Sequence, residues 1–409
     1  MIIRNAKFYL GGRVVKKDIL IERGRIAGFG KFKGEGVDAD GLFALPGLID
    51  PHVHLRDPGM THKEDFETGT RAALAGGFTT VLDMPNTKPP CTSPSEYRKK
   101  KEIAKKKALC DYGLHFGASG SNIQGVKKAR PRSLKLYMGE STGRMQAGDV
   151  LALWRHFNSF PKNRPLIVHA EDQETLAAMK KEGMGRPEAA EKIGVEKARI
   201  LAQEADRVIY FAHTTLFETV HLAKIWEKSL VEVTPHHLFL SREKDGKRLK
   251  EFSRVYPPLR SEGERRELWG ALYHVDAVGS DHAPHTPSEK RKGAAGFPGL
   301  ETSLPLFLDA YNRGEVELPW IIDRMAESPA RIFGLNSKGR IDKGYDGDIT
   351  LVDLKEEWKV KADEFESKCG WTPYEGFKLK GRVKKVVLRG KLAADESGAT
   401  GKTKGKNLL

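Results

Sequence analysis

Between residues 47 and 335 the chain alternates short apolar, β-branched runs with longer stretches of helical spacing, and it does so eight times. The runs fall at 47–54, 78–84, 112–118, 134–138, 166–169, 208–213, 230–234 and 277–281. Runs that stay apolar on both faces suit a parallel sheet, whose two sides are covered by helices. Helical spacing occupies 64–75, 95–106, 149–157, 173–181, 194–204, 216–227 and 262–271, with a last helical region over 304–311 and 319–333. Such a pattern predicts an α/β fold, either a TIM (β/α)8 barrel or a doubly wound sheet.

Both ends of the chain behave differently. Residues 1–45 alternate apolar and polar positions between glycine pairs, and the same period of two returns after Gly334 in RIDKGYDGDITLVDL and GRVKKVVLRGKL. This is the pattern of half-buried antiparallel strands. The reading is one small β domain built from 1–46 and 336–409, flanking a barrel over 47–335. The Gly/Lys/Thr-rich tail from about Asp395 is expected to be disordered.

Charge and cysteine content narrow the partners. Of the net +15, all but one unit sits in two segments: 98–107 carries seven basic residues against one acidic, and 378–409 ten against two. Both are read as solvated faces, which leaves no basic stripe for a nucleic-acid backbone to follow. Three cysteines far apart in sequence form no disulfide framework, as in a reducing compartment. With no signal-peptide h-region and no run of about 18 apolar residues, the expectation is a cytoplasmic chain without membrane contact.

The chemistry lies where polar residues end the apolar runs. The first run closes in Asp50-Pro-His52-Val-His54-Leu-Arg56, and residues two apart on a strand face the same way, so His52 and His54 can share one metal. Lys135 interrupts an otherwise apolar fourth run; His169 and His213 end the fifth and sixth; Asp281 ends the eighth. In a parallel barrel these ends converge on one mouth. Nitrogen and oxygen donors without thiolate suit zinc, manganese or a similar ion, and six donors exceed what one catalytic ion needs, so two ions are expected. A free ammonium would be repelled between two cations. Carboxylated by CO2, Lys135 becomes an anionic bridge instead.

The motifs HVHLRDPG (52–59), MPN (84–86), LKLYM (134–138), DHAPH (281–285) and GFPGLET (296–302), with SPARIFGL and KGRIDKGYDGDITLVDL beyond them, resemble the dihydroorotases of the amidohydrolase superfamily, and among them the type with a carboxylated lysine. The resemblance covers nearly the whole chain. It implies a (β/α)8 barrel of the amidohydrolase type with a small β-sandwich domain from both termini. It also implies two divalent ions, zinc first among them, on His52, His54, N6-carboxylated Lys135, His169, His213 and Asp281. Substrate contacts carry over to His54, Arg56, Asn86, Asp281, His285 and the backbone at Ala295 and Gly296. Before PPLR many relatives have Asn where this chain has Tyr256, so no substrate contact is carried over to that loop.

The implied reaction is the reversible hydrolysis of (S)-dihydroorotate to N-carbamoyl-L-aspartate in pyrimidine (UMP) biosynthesis. Hydrolysing a cyclic amide needs a nucleophilic water, a polarised carbonyl and a proton for the leaving nitrogen. A hydroxide bridging two cations supplies the first, and Asp281 is the general base and acid. Arg56, Asn86 and His285 would hold the ring carboxylate. Two alternatives stay open: another cyclic-amide hydrolase, allantoinase or hydantoinase, and a non-catalytic dihydroorotase-like subunit scaffolding aspartate transcarbamoylase. Association as a homo-oligomer, or with that transcarbamoylase, is the partner reading beside the small-molecule substrate. His236 and His237, near the mouth, are read as supporting residues, and His282 as pointing away from the metals.

Overall fold

A computed structural model describes residues 1–120, 122–140 and 145–409. The barrel strands are β1 (Leu48–Val53), β2 (Phe78–Asp83), β3 (Asp111–Leu114, continued by Phe116–Gly117), β4 (Leu134–Tyr137), β5 (Leu166–His169), β6 (Ile209–Phe211), β7 (Ser229–Val233) and β8 (Ala277–Val278). They run parallel in two arcs, β1 to β3 and the second piece of β3 through β8. A parallel bridge between Val53 and His282 brings the β8 edge back to β1. The alternation therefore closes into a (β/α)8 barrel and does not open into a doubly wound sheet. At the break in β3 the buried His115 ring meets Ser133 Oγ at 2.6 Å and Pro51 O at 3.0 Å, tying β1 to the residue before β4.

Every residue of β1, β2, β4 and β5 is buried, as two-sided apolar strands require. Local signals start the outer helices. Asp65 with Thr68 and Ser261 with Glu264 form capping boxes for helices Phe66–Ala75 and Glu262–Gly270, each cap contributing ~1 kcal/mol. Helix Ile123–Ala129 was not expected from sequence: only Val126 of it is buried, so it shows no apolar stripe. The expected 319–333 helix is three pieces, Leu318–Ile322, a π-helical turn Asp323–Glu327, and Ser328–Phe333.

The β domain is a nine-stranded sheet drawn from both chain ends. Phe43–Pro46 pairs antiparallel with Ile349–Lys359, Pro46 opposite Ile349 and Phe43 opposite Val352. Ile3, Phe8, Ile19, Ile21 and Ile26 pack with Ile349, Leu351 and Val387 into one core, the interior of the sandwich.

Two expectations are corrected. The tail is ordered: Lys391–Asp395 and Gly398–Ala399 are strands, and beyond them Gly405 N donates to Ala108 O, Lys406 N to Asp111 Oδ1 and Leu408 N to Tyr112 O. Leu408 and Leu409 pack against the apolar residues at the barrel base. Backbone pairing with β3 supplies the order that the composition of the tail does not. The basic run 98–107 is not wholly solvated either, because Lys100 is buried, 2.5 Å from Asp83 Oδ2 and 2.7 Å from Met84 O. Among the described residues no helix is long and apolar enough to cross a membrane.

Candidate active site

The C-terminal strand ends bring His52, His54, Lys135, His169, His213 and Asp281 together, all buried. The rings of His52 and His54 lie 5.3 Å apart, those of His52 and His213 5.3 Å, and those of His169 and His213 4.6 Å. Asp281 Oδ1 is 3.0 Å from His54 Nε2 and 3.2 Å from His52 Nε2. Arg56, His213 and Asp281 all hold positive φ, at 62°, 39° and 45°. Such backbone costs of order 1–3 kcal/mol per residue and persists where the surroundings impose it.

Partners behind the histidines decide their tautomers. His52 Nδ1 is 2.7 Å from Glu232 Oε1, His54 Nδ1 is 2.6 Å from Asn86 Oδ1, and His169 Nε2 is 2.8 Å from Glu171 Oε2. Each of these nitrogens donates, so the opposite nitrogen of each ring presents a lone pair to the site. His52 and His54 thus aim lone pairs at a carboxylate oxygen, and His169 Nδ1 aims one at His213 Nε2, 2.9 Å away. The contacts of His52 and His54 with Asp281 set acceptor against acceptor and call for a cation between them, whereas His213, whose Nδ1 has no partner among the described residues, can donate from Nε2 to His169. His54 is held neutral by burial, its pKa lowered to about 4. Burial raises the Asp281 pKa and positive charge among His52, His54 and His213 draws it well below the usual carboxylate range; with the rings neutral, that charge is the part a bound cation takes.

Lys135 fits the same reading. Its Nζ is buried with no hydrogen-bond partner among the described residues, 5.1 Å from the centre of the Tyr137 ring. Burial brings its pKa down to about 8, toward the free amine that can add CO2. Four imidazoles, a carboxylate and this orphaned amine make a donor set that fits divalent cations.

The pocket over this cluster is lined by Arg56, Asn86, Tyr137, Val255, Tyr256, Ala283, Ala295 and Gly296 besides the histidines and Asp281. Arg56 Nε donates to Pro284 O at 3.2 Å, while Nη1 has no partner among the described residues. His285 stands beside it, Nε2 3.2 Å from Arg56 Nη2 and 3.0 Å from Ala295 O, Nδ1 accepting from Lys63 at 3.1 Å. Burial, Arg56 and Lys63 hold this ring neutral. Gly296, at φ 142°, leaves no room for a side chain: a Cβ would lie 2.5 Å from Ala283 O. Its N–H donates to Arg254 O and its carbonyl accepts from Lys290.

Several site residues escaped the sequence reading. Glu232 accepts from His52, from Tyr210 Oη at 2.8 Å and from His213 N at 2.9 Å. Gly279 admits it, since a Cβ there would lie 2.7 Å from the Glu232 carboxyl carbon. A glutamate inside the run SLVEV was the available signal, of the same kind as Lys135 in LKLY. Glu171 and the buried Tyr137 hydroxyl, which has no partner among the described residues, were also missed. His237 is committed to Thr234 and the Pro257 carbonyl, and His282 turns toward Glu64 and Gly299.

A closed (β/α)8 barrel with histidines, a lysine and an aspartate meeting at its C-terminal rim, backed by a two-ended β domain, is amidohydrolase architecture. The amidohydrolase family model matches residues 43–393. The solved L-hydantoinase (dihydropyrimidinase) of Arthrobacter aurescens superposes with a TM-score of 0.94 at 27% identity, covering 100% of this chain and 99% of that one. In sequence, the dihydroorotase of Pyrococcus abyssi is 41% identical over 98% of this chain and 97% of its own length. The multifunctional protein CAD of Squalus acanthias is 36% identical over 86% of this chain, which spans 15% of that protein. The chain belongs to the amidohydrolase family, on its dihydroorotase branch.

Proposed function

We propose that this protein is a dihydroorotase, catalysing the reversible hydrolysis of (S)-dihydroorotate to N-carbamoyl-L-aspartate in pyrimidine biosynthesis. The observation that carries the reading is Arg56, a buried guanidinium whose Nη1 has no partner among the described residues and which lines the same pocket as the histidine–aspartate cluster. A desolvated cation beside a hydrolytic cluster selects a cyclic amide that bears an anion. Dihydroorotate carries a ring carboxylate; hydantoin, dihydrouracil and allantoin do not. The filled ligand positions weigh against a non-catalytic scaffold.

His52, His54, Lys135, His169, His213 and Asp281 would hold two divalent ions, zinc first among them, with Lys135 carboxylated. When bound, the ions polarise the scissile carbonyl and lower the pKa of water. Asp281, ionised and at the rim, takes the proton of the attacking water and returns it to the ring nitrogen as the C–N bond breaks. Arg56 offers parallel donors to the ring carboxylate. Asn86 lines the same pocket and fixes the His54 ring through its carbonyl oxygen, and neutral His285 stands beside Arg56. Ala295 and Gly296 form the adjoining wall. In the reverse direction the same aspartate accepts the carbamoyl nitrogen's proton.

The division into a barrel at 47–335 and a β domain at 1–46 and 336–409 is proposed with it, supported by the pairing of Phe43–Pro46 with Ile349–Lys359. We place the protein in the cytoplasm, in keeping with three buried, free thiols, Cys91, Cys110 and Cys369. The likeness to the multifunctional proteins supports association with aspartate transcarbamoylase, with a homo-oligomer as the other form of assembly. The deciding experiment offers purified, zinc-loaded protein dihydroorotate, allantoin, hydantoin and dihydrouracil. Turnover of dihydroorotate is expected; turnover of a rival substrate alone would overturn the assignment.

A further inference from the structure

One line of contacts leaves the cluster sideways and reaches the pocket rim. Glu171, buried two residues beyond His169, accepts from His169 Nε2. Arg186 donates from Nε to both Glu171 oxygens at 3.1 Å, from Nη2 to Oε2 as well, and from Nη2 to Glu140 O at 3.0 Å. The guanidinium carbon also lies over the Tyr256 ring, 3.9 Å from its centre. Tyr256 lines the pocket that holds Asp281 and Arg56.

We propose that Arg186 is a positioning residue with two duties: it locks Glu171 onto His169, and it carries the Tyr256 ring as the wall against which the planar cyclic amide lies. The inference rests on the hydrolase reading above and adds a specificity element to it. Only arginine can serve both duties. Its planar fork meets a carboxylate through several N–H groups while its face stacks on an aromatic ring; a lysine ammonium provides the charge without the plane. An exposed ion pair would contribute little, but here the Arg186 side chain is 11% exposed and Glu171 not at all. The pair therefore acts where water does not screen it. Fixing an outer partner of a metal-binding histidine is worth ~10–100-fold in metal affinity.

The test separates the duties. Zinc affinity is measured by competition with a chromophoric chelator, and dihydroorotate KM and kcat on the zinc-loaded proteins, for wild type, Arg186→Met, Arg186→Lys, Tyr256→Ala and the Arg186→Lys/Tyr256→Ala double variant. Arg186→Met is expected to weaken zinc binding ~10–100-fold and to raise KM. Arg186→Lys keeps a charge on Glu171 and guards against misfolding as the explanation; it should bind zinc more tightly than Arg186→Met yet show a raised KM. Tyr256→Ala should raise KM ~3–30-fold, the range cation–π contacts span from exposed to desolvated, with wild-type zinc affinity. In the double variant KM should rise no further than in the worse single variant, because both remove one stacked unit. Unchanged zinc affinity in Arg186→Met overturns the first duty. Additive KM effects, or an unchanged KM in Tyr256→Ala, overturn the second. If the wild type binds zinc but leaves dihydroorotate intact, the hydrolase reading fails while the zinc competition still decides the role of Arg186.

Discussion

The two ends of the barrel bury charge in opposite ways. At the base, Lys338 Nζ sits 2.5 Å from Asp111, 2.6 Å from Asp348 and 3.0 Å from Asp346. Arg389 bonds Asp111 through its side chain and Asp348 through its N–H, and Lys406 N closes the remaining Asp111 oxygen. At the mouth, Lys135 Nζ, Arg56 Nη1, His213 Nδ1 and the Tyr137 hydroxyl have no partner among the described residues. Both ends gather acids or histidines close enough to hold a cation. At the base the cation is already present as an ammonium, and the cluster joins barrel, β domain and tail. At the mouth the ring nitrogens of His52 and His54 face the Asp281 carboxylate, acceptor against acceptor. Burying an unmatched polar group costs roughly 1–3 kcal/mol, so a satisfied cluster reads as structure and an unsatisfied one as a site.

Four variants and one titration would break or sharpen that contrast. Asp281→Asn should lower turnover by ~10²–10⁴-fold, the range of a lost general base, with the unfolding midpoint retained; a destabilised variant would place Asp281 with the base residues. Lys338→Met should lower stability by ~3–5 kcal/mol, since three carboxylates lose their counter-charge, and chemical denaturation together with kcat of the folded fraction would show stability falling while chemistry stays. For Lys135→Ala we expect metal loss beyond the ~10–100-fold caused by removing an outer partner, with partial recovery of turnover on adding short carboxylic acids, followed by elemental analysis and assay. Arg56→Ala should raise KM ~10–100-fold, as loss of charge-assisted hydrogen bonds worth ~1.5–3 kcal/mol implies; an unchanged KM would remove it from the carboxylate clamp. The smallest effect is alkaline. Burial lowers the Lys338 pKa, but Asp348, Asp111 and Asp346 lift it above its ordinary value. Its stabilisation is therefore complete below ~10.5 and lost as pH climbs through the folded value. Unfolding curves of wild type and Lys338→Met should stay apart from neutral pH to ~10.5 and converge in strong alkali.

Much of the mouth was legible because its residues interrupt apolar runs. His169 ends β5, His213 stands two residues past β6, Lys135 breaks β4, and Asp281 follows β8; parallel strands deliver such positions to one rim whatever lies between them. Glu232 broke β7 in the same way but, standing among alternating residues, resembled a solvent-facing position. Glu171 looked like one more acid before the helix Gln173–Lys181. The tail and Lys100 were misread for a shared reason. Charge density along a sequence says nothing about a partner, and theirs are Asp111, the backbone of β3 and Asp83.

Taken by itself, the sequence determined the period of the elements, hence the strands and helices, and which polar residues stand at strand ends. Those are local properties, set by side-chain spacing within a few residues. Tertiary structure alone decided closure of the barrel, the tautomers of His52, His54 and His169 and which buried charges are matched. These depend on neighbours 180 residues apart for His52 and Glu232 and 228 for Arg56 and Pro284. A hydrogen bond acts over about 3 Å of space, and only the closed barrel brings such distant residues within it.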